Sequence, residues 1–144
     1  MGNDYFIDTD KARLDLAAIQ AYLSESSYWA RGRSLETVRT SVENSLCFGA
    51  YAVDGSLAGF ARVVTDFATF AWLCDVFVLE GHQGRGLGRR LVEAVIGHPG
   101  LRGLARFILA TRDAHELYRR YGGFEKLQAP ELWMERTTAR GAGP

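Results

Sequence analysis

The segment DVFVLEGHQGRGLGRRLVEAV, residues 75–95, restricts the possible folds of this chain more than any other. An apolar run rich in valine is followed by four glycines and then by an amphipathic pattern. This order predicts a buried strand, a glycine-rich loop and a helix. A helix N-terminus reached through such a loop presents backbone N–H groups and a positive dipole end, which suits phosphate. Arg85, Arg89 and Arg90 lie beside the loop and could reach phosphate oxygens.

Two widespread phosphate-binding motifs do not fit this loop. A Walker loop requires Gly-Lys-Ser/Thr, whereas Gly88 is followed by two arginines, which argues against nucleotide hydrolysis. A Rossmann fingerprint requires G-x-G-x-x-G, but Gly84, Gly86 and Gly88 give only G-x-G-x-G. The loop therefore predicts an anion site of another kind.

The first third of the chain predicts two helices. A broad apolar stripe favours a helix over residues 11–23, capped by Thr9 or Asp10. A second helix is expected over residues 35–45, capped by Ser34. The polar loop SESSYWARGR joins them.

The remaining elements complete a mixed α/β domain. Two strand-like runs flank Asp54-Gly55, which predicts a hairpin, and ATFAWLCDVFVL predicts a longer third antiparallel strand. Beyond the glycine loop and its helix, LARFILA predicts a buried strand and DAHELYRRY a short helix with Asp113 as its cap. FEKL and ELWME predict two closing strands around Pro130. The order is β-α-α-β-β-β-α-β-α-β-β, which is not a repeated βαβ array.

Composition limits the classes of function. With 144 residues, we expect one domain over residues 1–136 and a flexible tail over residues 137–144. The chain carries 17 basic and 17 acidic side chains, and this neutrality argues against a nucleic-acid partner. Cys47 and Cys74 lie in apolar runs without metal-ligand spacing, so we expect no metal site. No apolar segment reaches membrane-spanning length, and we expect a soluble, cytoplasmic protein without a membrane partner.

The loop and the helices after it resemble a known family. The loop sequence QGRGLG matches the signature Q/R-x-x-G-x-G/A, after a strand and before a helix. Ala114, Leu117 and Tyr118 match a second signature, which ends in a Gly-Phe pair. On these motifs and on element order, residues 5–135 resemble the GCN5-related N-acetyltransferase (GNAT) family. The resemblance implies an acyl-CoA N-acyltransferase-like fold, with a central, mostly antiparallel sheet, a splayed strand pair at the cofactor site and flanking helices.

Two positions depart from the family pattern. Thr111 stands where the family often has an asparagine that contacts the cofactor, and it keeps a hydrogen-bonding side chain. Gly122 and Gly123 precede Phe124, which is one glycine more than the family's Gly-Phe. We expect the extra residue to affect the final strands, which help to form the acceptor pocket in the family.

The resemblance implies an enzyme. It would transfer an acetyl group from acetyl-CoA to a primary amine of a small molecule or peptide, by direct attack through a tetrahedral intermediate. The alternative is a catalytically weak CoA-binding sensor or regulatory module of the same fold. Family members are often dimers, so a homodimer is also expected.

Charge is distributed unevenly along the chain. Residues 1–80 carry 6 basic and 11 acidic side chains, a net of −5, whereas residues 81–120 carry 8 and 3, a net of +5. The basic segment contains the glycine-rich loop, as expected for a site that holds a polyanionic cofactor. The acidic segment leads us to expect a cationic amine as the acceptor.

The same resemblance implies the cofactor contacts. The backbone N–H of Val78 would be the oxyanion donor, and the pantetheine arm would pair with backbone at Phe77, Val78 and Leu79. The other contacts are expected from the loop and from the two helices that follow it: Gln83, Gly84, Arg85, Gly86, Leu87, Gly88, Arg89, Thr111 and Tyr118.

Tyr118 is the expected general acid, because a phenol with an ordinary pKa near 10 stays protonated at neutral pH. Asp75 has two interpretations, a catalytic residue or a satisfied structural aspartate. The acceptor is expected to contact the helix-connecting loop and the strand before the glycines, although aromatic residues and a thiol at these places could equally belong to the core. The residues are Tyr28, Trp29, Arg33 and Cys74.

Overall fold

A computed structural model describes residues 4–138 as a five-stranded sheet with helices on both faces. The strands are β1 (Tyr5–Asp8), β2 (Leu46–Ala52), β3 (Leu57–Thr65), β4 (Phe70–Val78) and β5 (Arg106–Leu109). The helices are α1 (Leu16–Glu25), α2 (Leu35–Glu43), α3 (Leu87–Gly97) and α4 (His115–Gly122).

The sheet follows the chain order, β1-β2-β3-β4-β5. All neighbouring strands are antiparallel except β4 and β5, which are parallel because α3 carries the chain from one to the other. This arrangement confirms the mixed α/β fold with a mostly antiparallel sheet. The hairpin predicted at Asp54-Gly55 joins β2 to β3, and Gly55 has a φ of +88°.

Two apolar clusters pack on the two faces of the sheet. One contains the buried side chains of α3, including Leu91, Val92 and Val95, together with Tyr118 of α4. The other contains Ile19 and Leu23 of α1 with the buried valines of α2. The sheet is therefore covered on both faces, which leaves the ends of the strands as the accessible places for a site.

Two helix starts differ from the sequence predictions. The helix predicted over residues 11–23 divides into a 3₁₀ turn at Lys11–Arg13 and helix α1, which begins at Leu16. Asp10 caps only the turn, whereas Asp15 caps α1 by accepting from Ala18 N at 3.0 Å. Two cap residues in succession stop one continuous helix from forming, since each side chain captures an N–H locally.

The predicted Asp113 cap is also wrong. Helix α4 begins at His115 after Ala114, which makes no side-chain cap. Thr111 Oγ1 accepts a hydrogen bond from Ala114 N at 3.1 Å and so orders the turn before the helix. The residue that replaces the family's asparagine therefore has a local structural contact.

The two closing strands do not form in residues 124–138. Pro130 instead begins a 3₁₀ turn, Pro130–Leu132, in which Leu132 N donates to Ala129 O at 2.9 Å. Proline has no N–H for a strand ladder and its fixed φ favours the start of a turn. The extra glycine is absorbed before this segment, because Gly123 ends α4 with a φ of +72°.

Most of the tail predicted over residues 137–144 lies outside the described residues. Within residues 4–138, no helix is both long enough and apolar enough to cross a bilayer.

Candidate active site

Strands β4 and β5 separate before β4 ends. Their parallel pairing runs from Phe70 with Arg106 to Leu73 with Leu109, whereas β4 continues to Val78. On this side, the backbone of residues 74–78 has no strand partner among residues 4–138. The splayed pair implied by the family resemblance is therefore present, and it opens an edge of polar backbone groups.

The backbone of Val78 points into this opening. Leu79 N donates to Ala58 O of β3 at 2.8 Å, and successive residues of a strand direct their N–H groups to opposite sides. The N–H and C=O of Val78 therefore face away from β3. Gln83 Nε2 donates to Val78 O at 3.0 Å, which agrees with that orientation.

A β-bulge at Asp75 reverses the faces of β4. Arg62 pairs with Cys74 and Phe60 pairs with Phe77, so two residues of β4 oppose Ala61. Asp75 has a φ of +52°, a left-handed conformation that aspartate tolerates better than most residues. Leu73 consequently packs against α3, whereas Phe77 packs against α1 and α2.

The bulge places the Asp75 carboxylate among three donors. Oδ1 accepts from Trp29 Nε1 at 2.7 Å, while Oδ2 accepts from Arg33 Nη1 at 2.9 Å and from Arg62 Nε at 2.8 Å. The Asp75 side chain is 2% exposed. A buried carboxylate that accepts from three donors, two of them cationic, is fixed in its orientation.

A cavity of about 120 Å³ lies at the point where β4 and β5 separate, and we call it the splay cavity. It is formed by the α1–α2 loop, by β3 and β4, and by the β5–α4 loop. Its lining includes Tyr28, Trp29, Arg33, Arg62, Trp72, Cys74, Asp75, Thr111, Asp113 and Tyr118. The four residues predicted to contact the acceptor are therefore brought together with Tyr118.

Tyr118 is 8% exposed and faces the splay cavity from α4. Burial, with smaller contributions from Tyr28, Asp113 and Cys74, raises its pKa to about 12. Among residues 4–138 its hydroxyl has no hydrogen-bond partner, so its proton is not donated within that part of the chain. Burial also raises the pKa of Cys74 to about 12, which keeps this thiol neutral and unreactive at neutral pH.

The α1–α2 loop is fastened across the cavity to the β5–α4 loop. Tyr28 Oη accepts from Arg112 N at 2.7 Å, and the Arg112 guanidinium lies 3.9 Å from the centre of the Tyr28 ring. The Trp29 ring packs edge-on against Tyr28 at 5.0 Å. These aromatic residues therefore hold one wall of the cavity in place.

The glycine loop, residues 81–88, lies beyond the open edge of β4. Gly84 and Gly86 have φ values of +78° and +79°, and a Cβ at either position would have open space around it. Glycine is therefore required by backbone conformation rather than by crowding. Gly86 is the N-cap of α3 and provides no side-chain cap, so the first N–H groups of the helix are available to an anion.

The arginines beside this loop differ in their contacts. Arg85 Nη1 donates to Tyr5 Oη at 2.9 Å, and Tyr5 Oη lies 2.9 Å from His82 Nδ1. Arg89 contacts Glu93 at 3.1 Å and remains about half exposed. The first strand thus positions Arg85, while Arg89 lies on the outer face of α3.

The sequence predictions missed several residues that line the site, among them Trp72, Asp113 and, with the most contacts to Asp75 and its neighbours, Arg62. It is 8% exposed, and its Nη1 also donates to Ser45 Oγ at 3.0 Å. Its signal in the sequence is a single charge inside the apolar run of β3. Only the register of β3 against β4, which sets Arg62 opposite Cys74, shows that it belongs to the site.

Comparison with known proteins agrees with this geometry. The model of the acetyltransferase (GNAT) family matches residues 16–124. FG08082 of Gibberella zeae, which is named as an acetyltransferase, is 34% identical over 137 residues, covering 80% of this chain and 76% of its own length.

Solved structures show the same fold. A protein belonging to the GNAT family from Xanthomonas campestris pv. campestris has a TM-score of 0.90 and 47% identity, with 94% of each chain covered. A GNAT family acetyltransferase from Elizabethkingia anophelis, solved with acetyl-CoA bound, has a TM-score of 0.61 and 16% identity, covering 83% of this chain and 76% of its own. At that identity the second likeness concerns the fold alone.

Proposed function

Because the chain belongs to the GNAT family of acetyltransferases, we propose that it transfers an acetyl group from acetyl-CoA to a primary amine. The observation that carries this proposal is the Val78 N–H, which faces the opening between β4 and β5 beside the cavity that Tyr118 lines. An oxyanion donor and a protonated acid on the two sides of one opening are what acyl transfer requires.

The residues around the opening fit acetyl-CoA in two respects. The backbone edge of residues 74–78, which lacks a strand partner among residues 4–138, can pair with the amide groups of a pantetheine arm, as an added strand would. The glycine loop and the uncapped start of α3 suit a pyrophosphate, with Arg85 and Arg89 as nearby cations. Acetyl-CoA, when bound, supplies a thioester whose acetyl carbon bonds to the amine nitrogen as the C–S bond breaks, leaving an N-acetyl amide and CoA thiol.

The chain's own groups perform two tasks in this proposal. The Val78 N–H stabilises negative charge as it develops on the carbonyl oxygen, without any side chain having to move. Tyr118 holds a proton at Oη throughout the neutral range and can deliver it to the leaving sulfur, because its pKa is raised to about 12.

Asp75 has a positioning function in this proposal and does not act as the base. Its carboxylate already accepts from Trp29, Arg33 and Arg62, and these three contacts hold the α1–α2 loop and β3 against β4. Solvent water can accept the proton of the amine instead.

The proposal is tested by two measurements on the purified protein. Acetyl-CoA should raise the melting temperature, since a ligand that binds only the native state stabilises it. Thiol release with a panel of primary amines should then report turnover. An unchanged melting temperature at high acetyl-CoA concentration would contradict both an enzyme and a CoA-binding module.

Tyr118→Phe separates these two possibilities. In an enzyme, the loss of the general acid should lower kcat by about 100-fold or more while stabilisation by acetyl-CoA is kept. Tyr121→Phe is the matched control, because Tyr121 lies on the same helix and does not line the splay cavity. Stabilisation without thiol release from any amine would favour the sensor or regulatory module.

A cytoplasmic location and a homodimer stay predictions. Static light scattering of the purified protein tests the second directly.

A further inference from the structure

The cluster around Asp75 contains two guanidinium groups and one carboxylate. Arg33 Nη1 and Arg62 Nε both donate to the same oxygen, Oδ2, at 2.9 and 2.8 Å. The three side chains therefore carry two positive charges and one negative charge. The remaining partners of the cluster, Trp29 and Ser45, are neutral.

The excess positive charge is mostly removed from solvent. The side chains of Arg33, Arg62 and Asp75 are 22%, 10% and 2% exposed. An unbalanced charge in such a place is costly, and a second anion beside it would offset that cost. The excess positive charge therefore favours a ligand that carries a negative charge.

The other ionisable groups that face the splay cavity do not supply this anion. Asp113 is 67% exposed, and its carboxylate lies 3.8 Å from Arg112 Nη2. Cys74 and Tyr118 are neutral at neutral pH, because burial raises the pKa of each to about 12. Among residues 4–138, the cavity is lined by two arginines and two aspartates, but Asp113 is exposed and lies beside Arg112, so the positive excess is confined to the Asp75 cluster.

We propose that the acceptor is a small amine that also carries a carboxylate, and that Arg33 binds this carboxylate. The inference rests on the proposed acetyl transfer and names its substrate class. Arg33 is the more accessible of the two arginines, and only its Nη1 donates to Asp75. The other N–H groups of its planar guanidinium can therefore donate to a second carboxylate. Tyr118 lines the same cavity, which brings the amine end of such a molecule to the acetyl-transfer site.

This substrate class differs from the cationic amine expected from the acidic half of the chain, because it adds a negative charge to the acceptor. The net charge of residues 1–80 is −5, but the charged side chains of that segment that line the cavity are Arg33, Arg62 and Asp75. Local charge, rather than the sum over the segment, determines what the cavity attracts.

The test compares acceptors that differ only in the carboxylate. Glycine, L-alanine, β-alanine and γ-aminobutyrate are each assayed beside their own carboxamides, with spermidine as the polycation. We expect kcat/KM to be about tenfold higher or more for the best carboxylate than for its amide. The amides have less basic amines, so more of each is unprotonated at neutral pH, and this bias works against the expected result.

Variants of two neighbouring arginines localise the effect. Arg33→Gln should raise KM for the carboxylate acceptor about tenfold or more, while KM for its amide and for acetyl-CoA stays unchanged. Arg33→Lys should recover part of the loss because it keeps the charge without the planar fork. Arg31 is exposed in the same loop, and Arg31→Gln should leave KM unchanged for both the carboxylate acceptor and its amide.

The outcomes separate this inference from the proposed function. Equal use of amides, a preference for spermidine, or an unchanged KM in Arg33→Gln overturns the inference while acetyl transfer stands. Stabilisation by acetyl-CoA with no transfer to any carboxylate-bearing amine overturns it as well. If acetyl-CoA does not stabilise the native protein and no amine gives thiol release, the proposed function itself is wrong.

Discussion

The glycine loop and the splay cavity lie at opposite ends of the same free segment of β4, yet they are built differently. The loop is one continuous stretch, residues 81–88, whose chemistry comes from backbone N–H groups and positive φ angles. The cavity depends on side chains from distant positions, such as Trp29 and Asp75, which are 46 residues apart in the chain. A site made of backbone groups can thus be recognised in one short stretch of sequence, whereas a site made of distant side chains forms only when several elements pack together.

Asp75→Asn should have the largest effect of any single change at the cavity. It leaves Arg33 and Arg62 buried without a negative partner, and breaking a buried ion pair in this way costs about 3–5 kcal/mol of the free energy of unfolding. Urea denaturation measures the loss. Asp113→Asn is the control, since it removes an exposed carboxylate from the same cavity and should cost less than about 0.5 kcal/mol. Equal costs would show that the Asp75 cluster does not hold the cavity together.

Alkaline pH should lower the free energy of unfolding because the buried Tyr118 resists ionisation. Its pKa is near 10 in the unfolded chain and about 12 in the folded one, so the native state binds more protons between these values. The contribution of this bound proton to the free energy of unfolding is complete below pH 10. It is lost as the pH rises towards 12, and its size is on the order of 2 kcal/mol. Thermal unfolding from pH 9 to 12 should show a shallower decline for Tyr118→Phe than for the native protein. A decline of Tyr121→Phe as shallow as that of Tyr118→Phe would contradict this assignment.

A pair of alanine substitutions tests whether the loop depends on conformation. Gly86→Ala forces a Cβ into a left-handed conformation and should cost about 1–2 kcal/mol, with weaker binding of acetyl-CoA. Gly88, the last residue of the loop, already lies in the first turn of α3, where a Cβ would meet only Leu117 at 3.8 Å. Gly88→Ala should therefore be neutral or stabilising by up to about 1 kcal/mol. Chemical denaturation and calorimetric binding measure both. If the two variants behave alike, the loop geometry is not what requires glycine.

Tyr28→Phe should have the smallest of these effects. It removes the hydrogen bond from Arg112 N but keeps the ring beneath the guanidinium, at a cost of about 1 kcal/mol. Tyr22→Phe is the matched control, because Tyr22 stacks on Phe77 through its ring. Hydrogen exchange of the Arg112 amide should accelerate in Tyr28→Phe alone. Unchanged exchange would mean that the two loops are not fastened together at this point.

Local patterns predicted the elements that local physics controls. The Asp54-Gly55 hairpin, the strand before the glycines and helix α3 all depend on neighbouring residues, and all are present. The closing strands failed because a strand needs a partner that the sequence pattern cannot supply, while Pro130 and its neighbours can satisfy a turn locally. The long first helix failed because Asp10 and Asp15 each cap a separate segment.

The sequence by itself determined the mixed α/β fold and the glycine loop, because both follow from apolar periodicity and glycine placement, and its two motifs carried the resemblance to the family. Only the tertiary structure decided what Asp75 does. Alternation along β4 would put it on the face of Leu73, and a bulge turns it to the other face, where Arg33 and Arg62 meet it. Electrostatic interactions depend on distance and burial, so the positive excess around Asp75 could be recognised only from the folded arrangement of these side chains.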